Sequence, residues 1–388
     1  MKRNSPRPAS GGKRGVKLAA ALVCLALYVL VLLLANSSPD SPRLSGTAYS
    51  EYETARVLAI PEDNTAPDET IEGRLRGSQL LKLEILSGQY EGGIVHCTNY
   101  FSAMYNVAVQ PGDTVSIRVD TINEDEFTVS VYNYHRVPLI LGIALVFCLA
   151  LILIGGWQGL RALLGLVFTF VTIVWLLLPL CLKGWPAVPL AVAIVSLTAT
   201  AGFFLLGGWQ SKTLGAALGA LCGVAAAALL GYLATELLHV SAYQMDEAEG
   251  LILARFDTGL NVKGLLLSGI LIAAEGAVMD TSMSVASAMA ELKEKRPDIS
   301  RQELFRSGMV IGRDTTGTMA NTLVLAFAGS SLNMMVLIAS YHVSFNQLMN
   351  TDFVAVELVR SVAGSLGIIL TVPCVAAITA RLLSRKPN

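Results

Sequence analysis

Apolar residues dominate the chain from residue 138 almost to its end, in long runs separated by short polar segments. One more such run lies close to the amino terminus. A helix of roughly 20 apolar residues crosses a bilayer core of about 30 Å, and these runs have that length or more. The pattern predicts a polytopic α-helical membrane protein with about eight transmembrane helices. The predicted spans are residues 18–35, 138–156, 160–182, 187–206, 213–238, 263–289, 308–341 and 358–383.

The composition excludes a soluble globular protein. Of the 388 residues, 53% are hydrophobic and only 15% are charged, whereas soluble domains carry roughly 25% charged residues. The formal net charge of −1 leaves no basic surface for nucleic acid, so we expect no nucleic-acid partner. The 34 glycines and the aromatic content of 7% favour close-packed spanning helices over a β-barrel.

Charges at the ends of the apolar runs predict the topology. Residues 1–17 are basic and contain no acidic residue, which predicts a cytoplasmic amino terminus. We interpret residues 18–35 as an uncleaved anchor, because a cleaved signal peptide has an apolar core of only about 7 to 15 residues. Both termini are then cytoplasmic. The charges predicted inside are those of Arg161, Lys212, the loop 291–306, Arg381, Arg385 and Lys386, and those predicted outside are Asp246, Glu247 and Glu249.

Residues 36–137 form the only sizeable soluble region and are predicted to be mainly β. Apolar and polar residues alternate over 79–86, 115–119 and 127–132, with turn residues between these stretches. Several short strands of this kind predict a small closed barrel of about 80 residues, outside the membrane. The predicted domains are thus a basic tail (1–17), an anchor (18–35), an extracytoplasmic β-rich domain (36–137, beginning with a Ser/Pro-rich linker), a helical membrane domain (138–383) and a cytoplasmic tail (384–388).

The run 308–341 is too long for one upright helix, since it would reach about 50 Å. Two full crossings would place the basic carboxyl-terminal tail outside. We therefore expect one crossing with a break near Gly329-Ser330-Ser331, either a broken helix or a re-entrant loop.

A short motif occurs twice: Gly155-Gly156-Trp157-Gln158 returns as Gly207-Gly208-Trp209-Gln210, each time before a Gly/Ala/Leu-rich run. The helix pairs 138–182 and 187–238 are therefore interpreted as duplicated hairpins in one orientation. Repeats of spanning units are common in transporters. The alternative is two short turns with interfacial tryptophan anchors.

Cysteines and histidines indicate neither a disulfide nor a metal site. Five of the six cysteines lie in apolar runs and only Cys97 lies in a soluble segment, and no two histidines or cysteines have the spacing of metal ligands. We expect no cofactor and leave metal binding open.

Ionisable residues inside apolar spans are costly and tend to mark a pathway or a site. Asp280, Ser284 and Ser287 follow the spacing i, i+4, i+7, which places them on one face of a helix. The next predicted span repeats this spacing with Asp314, Thr318 and Asn321. If the two faces meet, they could coordinate a cation, carry protons between paired carboxylates or hydrogen-bond a polar substrate. The alternative is that the hydroxyls pack helices together and the charges form a structural salt-bridge cluster.

Four further charged residues are expected beside this site. Glu275 lies five residues before Asp280. Arg313 directly precedes Asp314, where it either neutralises that carboxylate or snorkels to the interface. Glu357 and Arg360, at i and i+3, are expected to form an ion pair at the start of the last span.

Three long segments carry a family resemblance. Residues 276–289 (GAVMDTSMSVASAM), 312–332 (GRDTTGTMANTLVLAFAGSSL) and 357–373 (ELVRSVAGSLGIILTVP) resemble the YibE/F family of bacterial multi-pass membrane proteins. The resemblance extends over nearly the whole chain and implies a bacterial cell-membrane protein. It supplies no catalytic assignment.

The leading hypothesis is a transporter or permease for a small ion or polar solute. A second hypothesis is a non-transporting membrane scaffold or receptor whose outer β-domain binds an envelope component or a partner protein. We expect no enzyme, since the chain has no paired histidines on a helix, no G-x-S-x-G elbow and no P-loop. Besides the bilayer, two partners are left open: a second copy of the chain and a second family member.

Overall fold

A computed structural model describes residues 25–37, 50–102, 105–123, 126–240 and 262–384. The chain divides into two compact units, a β-rich unit of residues 42–150 and a helical unit of residues 1–41 and 151–388. The basic tail 1–17 and the acidic residues Asp246, Glu247 and Glu249, on which part of the predicted topology depends, lie outside the described residues.

The β-rich unit contains one curled antiparallel sheet. Its strands are β1 (Ser50–Asp63), β2 (Ala66–Pro67), β3 (Leu75–Ile85), β4 (Ile94–Phe101), β5 (Thr114–Asn123) and β6 (Glu126–Tyr134). The five longer strands follow the order β4-β3-β1-β5-β6, and β4 lies beside β6. With β1 at the centre, this is the strand order of an OB-fold, a partly open five-stranded Greek-key barrel.

Alternation of apolar and polar residues explains the curl. On β3, Leu81, Leu83 and Ile85 point to the core while the residues between them do not. Val115, Ile117 and Val119 do the same on β5, which pairs with the other edge of β1. Because successive side chains of a strand point to opposite faces, one face of the sheet closes around this apolar core. A β-rich unit was predicted here, and the structure confirms it.

The helices are α1 (Leu25–Ala35), α2 (Val137–Thr172), a π-helical turn (Ile173–Leu177), α3 (Leu178–Leu182), α4 (Ala187–Gly207), α5 (Ser211–Leu237), α6 (Val262–Lys295), α7 (Arg301–Ser330), α8 (Leu332–Ser340), α9 (Phe345–Met349) and α10 (Asp352–Leu383). Within the described ranges, five helical stretches are long and apolar enough to cross a membrane. They are Val137–Leu182, α4, α5, α6 and α10, and the number rises to six if α7 and α8 are one bent span. The predicted count of eight is not confirmed. The spans 138–156 and 160–182 are counted together as Val137–Leu182, although the backbone is non-helical at Gly156 between them, and α1 is described over Leu25–Ala35 alone.

Both copies of the repeated motif bend the chain at their second glycine. Gly156 has φ 55° and ψ −134°, and Gly208 has φ 65° and ψ −170°. Residues other than glycine rarely adopt such positive φ values. At the first bend the chain folds back so tightly that a Cβ on Gly159 would meet the Leu151 carbonyl. The predicted break near residues 329–331 is also present, since α7 and α8 meet at Ser331 with a bend of 56°.

The core of the helical unit is built on small residues. Gly215, Gly219 and Gly223 recur every fourth residue along one face of α5, and a Cβ on any of them would collide with α10. Spanning helices associate through such close backbone approach, because lipid supplies no hydrophobic force that drives helices together. On α7, Gly308 and Gly312 likewise lie against α10. These glycines hold α5, α7 and α10 together and so position α6, which contacts all three.

Candidate functional site

The only buried carboxylate on α6 is Glu275, whose side chain is 7% exposed. Its Oε1 lies 2.6 Å from the Thr198 hydroxyl of α4. Among the described residues, no lysine, arginine or histidine forms an ion pair with it. A carboxyl group in this position has a hydroxyl and apolar side chains around it, and no compensating positive charge.

The Thr198 hydroxyl lies within hydrogen-bond distance of three oxygen atoms. Its Oγ1 lies 2.9 Å from the Ile194 carbonyl and 3.2 Å from the Val195 carbonyl, besides the contact with Glu275. A hydroxyl has one hydrogen to donate. If Thr198 donates to its own helix, Glu275 must be protonated and donate to Oγ1; if Thr198 donates to Glu275, the carboxyl group can be ionised. The pair therefore accommodates both protonation states without a change of backbone.

The polar face predicted on α6 points away from the helical core. Asp280 and Ser284 are exposed, and Ser287 is partly exposed. Ser287 lines an open depression of ≈ 680 Å³ at the end of α6. Polar and charged residues from the start of α5 and from α6 line it as well: Gln210, Ser211, Lys212, Glu291, Lys293 and Glu294. The second copy of the repeated motif thus supplies Gln210 to this depression.

The face predicted on α7 is exposed as well. Asp314, Thr318 and Asn321 share one side of the helix as their spacing indicates, and Arg313 is exposed beside them. The Thr318 hydroxyl donates to the Thr315 carbonyl at 2.9 Å within the helix. Asp314 and Arg313 form no ion pair within the described parts of the chain.

The structure brings α6 and α7 together without bringing their polar faces into contact. The helices form an antiparallel hairpin, in which a Cβ on Gly308 would lie 2.5 Å from the Met289 sulfur. Further along the hairpin, Ala274 of α6 and Leu323 of α7 both approach Gly364 of α10, so these two residues also lie at the same level. Counted from these aligned residues, Asp280 and Asp314 are about one helical turn, or roughly 5 Å, apart along the axis of the hairpin. No hydrogen bond joins the two carboxylates to each other in the described chain, and each is exposed.

Glu357 and Arg360 pair with each other, as expected. Arg360 donates to Glu357 at 2.9 Å near the start of α10, and their side chains are 26% and 18% exposed respectively. The two residues therefore pair with each other, and neither has a described contact with Asp280 or Asp314.

Sequence reasoning missed Thr198 and placed Glu275 only as a neighbour of Asp280. A hydroxyl in the middle of the apolar run 187–206 was the available signal, although such hydroxyls usually bond to their own helix. The described residues contain no cluster of three or more His, Cys, Asp or Glu side chains that could hold a metal ion.

The helices of this unit are long, apolar and packed through small residues, which is consistent with a helical membrane protein, and the chain also carries a β-rich unit. The family model described as YibE/F-like protein matches residues 143–385, and the chain belongs to that family. The match covers the helical unit from within α2 onwards and leaves the β-sheet outside. No curated protein and no solved structure matches the chain.

Proposed function

We propose that the protein is a transporter of the bacterial cell membrane, with both termini in the cytoplasm, that moves a small cation or a polar solute in exchange for or together with protons. Glu275 carries the proposal. An acidic group inside a helical membrane unit is expensive, and such groups mark proton or substrate pathways. Glu275 lies against Thr198 with no cationic partner in the described chain.

Proton transfer requires a group that is stable in both states. The shared hydroxyl of Thr198 provides this, because it can accept from protonated Glu275 or donate to the ionised form. A solute that reaches Glu275 as a cation would compete with the proton for the same oxygen atoms. This competition is the simplest coupling that the geometry supports.

Three further features favour transport. The repeated Gly-Gly-Trp-Gln bends give the unit two similar elements, and sites in transporters often lie where such repeats meet. The 56° bend between α7 and α8 interrupts a spanning run, which is typical of helices that line a cavity. The depression next to Ser287 supplies a polar entrance at one end of α6. We place Asp280, Ser284, Asp314, Thr318 and Asn321 along the pathway of the solute.

The test uses the purified full-length chain in proteoliposomes that enclose a pH-sensitive dye. Candidate ions and solutes are applied one by one, and the proton flux that each produces is recorded. We expect Glu275→Gln, which keeps the size of the side chain, to lower the coupled flux at least about tenfold, a barrier increase of roughly 1.4 kcal/mol. Glu236→Gln on α5, an exposed carboxylate that is paired with Lys263 and does not line the depression, is the matched control and should transport normally.

Asp280→Asn and Asp314→Asn complete the series. We expect each to weaken the apparent affinity for the solute more than the proton coupling. If Glu275→Gln and both asparagine variants transport every candidate that the parent transports, at the same rate, the proposal is wrong.

A second function is favoured by the β-rich unit. An open depression of ≈ 340 Å³ lies on its surface between Arg74, Arg136, Tyr105, Tyr132 and Tyr134, and no acidic residue lines it. The Arg136 guanidinium lies 5.8 Å from the centre of the Tyr134 ring, whose hydroxyl is held by the Ala108 carbonyl at 2.8 Å. Two arginines among tyrosines suit a phosphate-bearing envelope component.

In this second function the helices anchor a receptor and transport nothing. Deleting residues 45–135 would then abolish the function, whereas Asp280→Asn and Asp314→Asn would alter only stability. Adding inorganic phosphate or a soluble short-chain phosphatidylglycerol should raise the melting temperature of the full chain, and Arg136→Gln should remove that rise. Equal melting temperatures with and without both probes would exclude this function.

A further inference from the structure

We propose that a second copy of the chain covers the outward polar face of the α6–α7 hairpin, so that Arg313 of each copy pairs with Asp314 of the other. The outward polar face consists of Asp280, Ser284, Arg313, Asp314, Thr318 and Asn321, all exposed in the single chain. The inference deepens the proposed function, on which its meaning for transport rests, because the pathway residues would then be supplied by two copies.

The outward polar face lies deep in the expected bilayer. Between Asp280 and Glu291, the first charged residue near the end of α6, the helix rises about 16 Å, roughly half the thickness of a bilayer core. The alignment of α6 with α7 through Met289 and Gly308 puts Asp314 within about one turn of that depth. Asp280 is therefore about half a bilayer core from the charged end of α6, and Arg313 and Asp314 follow the charged Arg306 of α7 by about 10 Å and 12 Å along the helix.

Lipid cannot solvate this face. Charged side chains at the centre of a spanning helix are rare and nearly always turn to a protein interior or a water-filled cavity. In the single chain they turn outward instead, while the opposite face of α6 packs on α5 and α10 and that of α7 packs on α10. Something must cover the outward polar face in the membrane.

Charge complementarity favours a second copy. Arg313 and Asp314 have opposite charges and adjacent positions, and neither has an ion-pair partner in the described chain. Copies in one membrane share an orientation, so a two-fold axis along the membrane normal brings equal residues together at equal depth. Arg313 of one copy and Asp314 of the other would then differ in height by about 1.5 Å, which allows two reciprocal ion pairs.

The surface has room for such close approach. A Cβ on Gly317 would meet nothing within 4 Å, and the same holds for Gly276 on α6. On a helical wheel Gly317 falls between Arg313 and Asp314, and Val310, which is 58% exposed, lies seven residues before it on the same line. Small residues at this position let two helices approach closely enough for the charges to meet.

The main experiment exchanges the charges. Arg313→Asp gives a chain with two negative charges at this site, and Asp314→Arg gives a chain with two positive charges. Each variant should fail to associate with itself. Expressed together under two different affinity tags, the two variants should form a mixed pair in which both contacts are restored, and the double variant Arg313→Asp/Asp314→Arg should again associate with itself.

Co-purification of the two tags from membranes measures the association. We expect recovery of each single variant with its own kind to fall at least about tenfold below the parent, and the mixed pair to return to the level of the parent. Because a misfolded chain would not be rescued by mixing, the recovery separates lost contact from lost folding. Single variants that self-associate like the parent, or a mixed pair no better than either variant, would overturn the proposal.

Cross-linking provides an independent measurement in a background without the native cysteines. Val310→Cys and Gly317→Cys should form disulfide-linked dimers in oxidised membranes, and Val362→Cys, 47% exposed on α10, should not. No dimer at positions 310 and 317 would also contradict the proposal. Neither readout involves transport, so a chain that dimerises but moves no solute would refute only the proposed function.

Discussion

The two faces of α6 place carboxylates in opposite surroundings. Glu275 points inward, is 7% exposed and is held by Thr198, whereas Asp280, little more than one turn further along the helix, points outward and has no described hydrogen bond. The inward group can change its protonation state within the fold of one chain. The outward group needs water, a solute or another protein molecule beside it. One helix thus carries an enclosed carboxyl group with a hydrogen-bond partner and an exposed one without a described partner.

The same contrast between inward and outward faces orders the expected effects of substitutions. A larger side chain should lower stability strongly where a helix closely approaches another helix. It should lower stability little where the helix faces outward. Polar groups should follow the same rule, since a buried group that loses its partner has no water to replace it.

The largest effect is expected for Gly223→Leu on α5. A Cβ at this position would already collide with the Thr371 hydroxyl, so α5 and α10 could not approach each other. We expect a loss of about 3 kcal/mol or more in the free energy of unfolding, seen as aggregation during size-exclusion chromatography in detergent. Gly269→Leu adds the same side chain where nothing lies within 4 Å and should leave the elution profile unchanged. Equal profiles for the two variants would show that the face of α5 is not packed as described.

Thr198→Val should have the next largest effect. The substitution keeps the shape of the side chain but leaves Glu275 without its described partner, which should cost about 1–3 kcal/mol in thermal or denaturant unfolding. Thr198→Ser retains the hydroxyl and should recover most of this loss. On the outward face, Ser284→Ala should change stability by no more than about 0.5 kcal/mol. A larger loss for Ser284→Ala than for Thr198→Val would reverse the comparison.

Two ion pairs extend the comparison to charges. Glu357→Gln breaks a pair whose side chains are mostly buried, and we expect a loss of about 1 kcal/mol. Glu291→Gln breaks the pair with Lys295, whose side chains are 65% and 73% exposed, and should cost no more than about 0.5 kcal/mol. Denaturant titration of both variants measures the two losses in the free energy of unfolding. The loss for Glu357→Gln should exceed that for Glu291→Gln by more than the experimental error.

The smallest effect on stability is expected for a substitution on β4, where the buried Cys97 and the exposed Thr98 are neighbours. Burial raises the pKa of the Cys97 thiol from 9.0 to about 11, whereas the next residue, Thr98, is exposed. At neutral pH the thiolate fraction of Cys97 should be about a hundredfold lower than that of an ordinary thiol, so maleimide labelling should be slow and should still rise with pH above 9. A cysteine introduced by Thr98→Cys in a Cys97→Ser background should react fast, and its melting temperature should equal that of Cys97→Ser alone. Rapid labelling of Cys97 in the folded chain would show that the inner face of the sheet is open.

The length of the apolar runs, the period of the apolar positions and the turn residues between them were sufficient to predict the broad architecture. Alternation over 79–86 and 115–119 located strands of the β-rich unit, and the excess length of 308–341 located the bend at Ser331. The repeated Gly-Gly-Trp-Gln motif located two chain bends, because both second glycines adopt positive φ values. These features are local, so they can be derived from the order of residues alone.

Which way each helix faces could be decided only by tertiary structure. The spacing of Asp280, Ser284 and Ser287 establishes that they share a side of α6, but in a membrane the lipid-facing side of a helix is as apolar as its packed side. Hydrophobic periodicity therefore cannot distinguish inside from outside, as it does in a soluble protein. The close approach of α5, α7 and α10 at their glycines turns Glu275 inward toward Thr198 and leaves Asp280 and Asp314 outside. Sequence determined which chemical groups the membrane unit contains, and packing of its small residues decided which of them is enclosed.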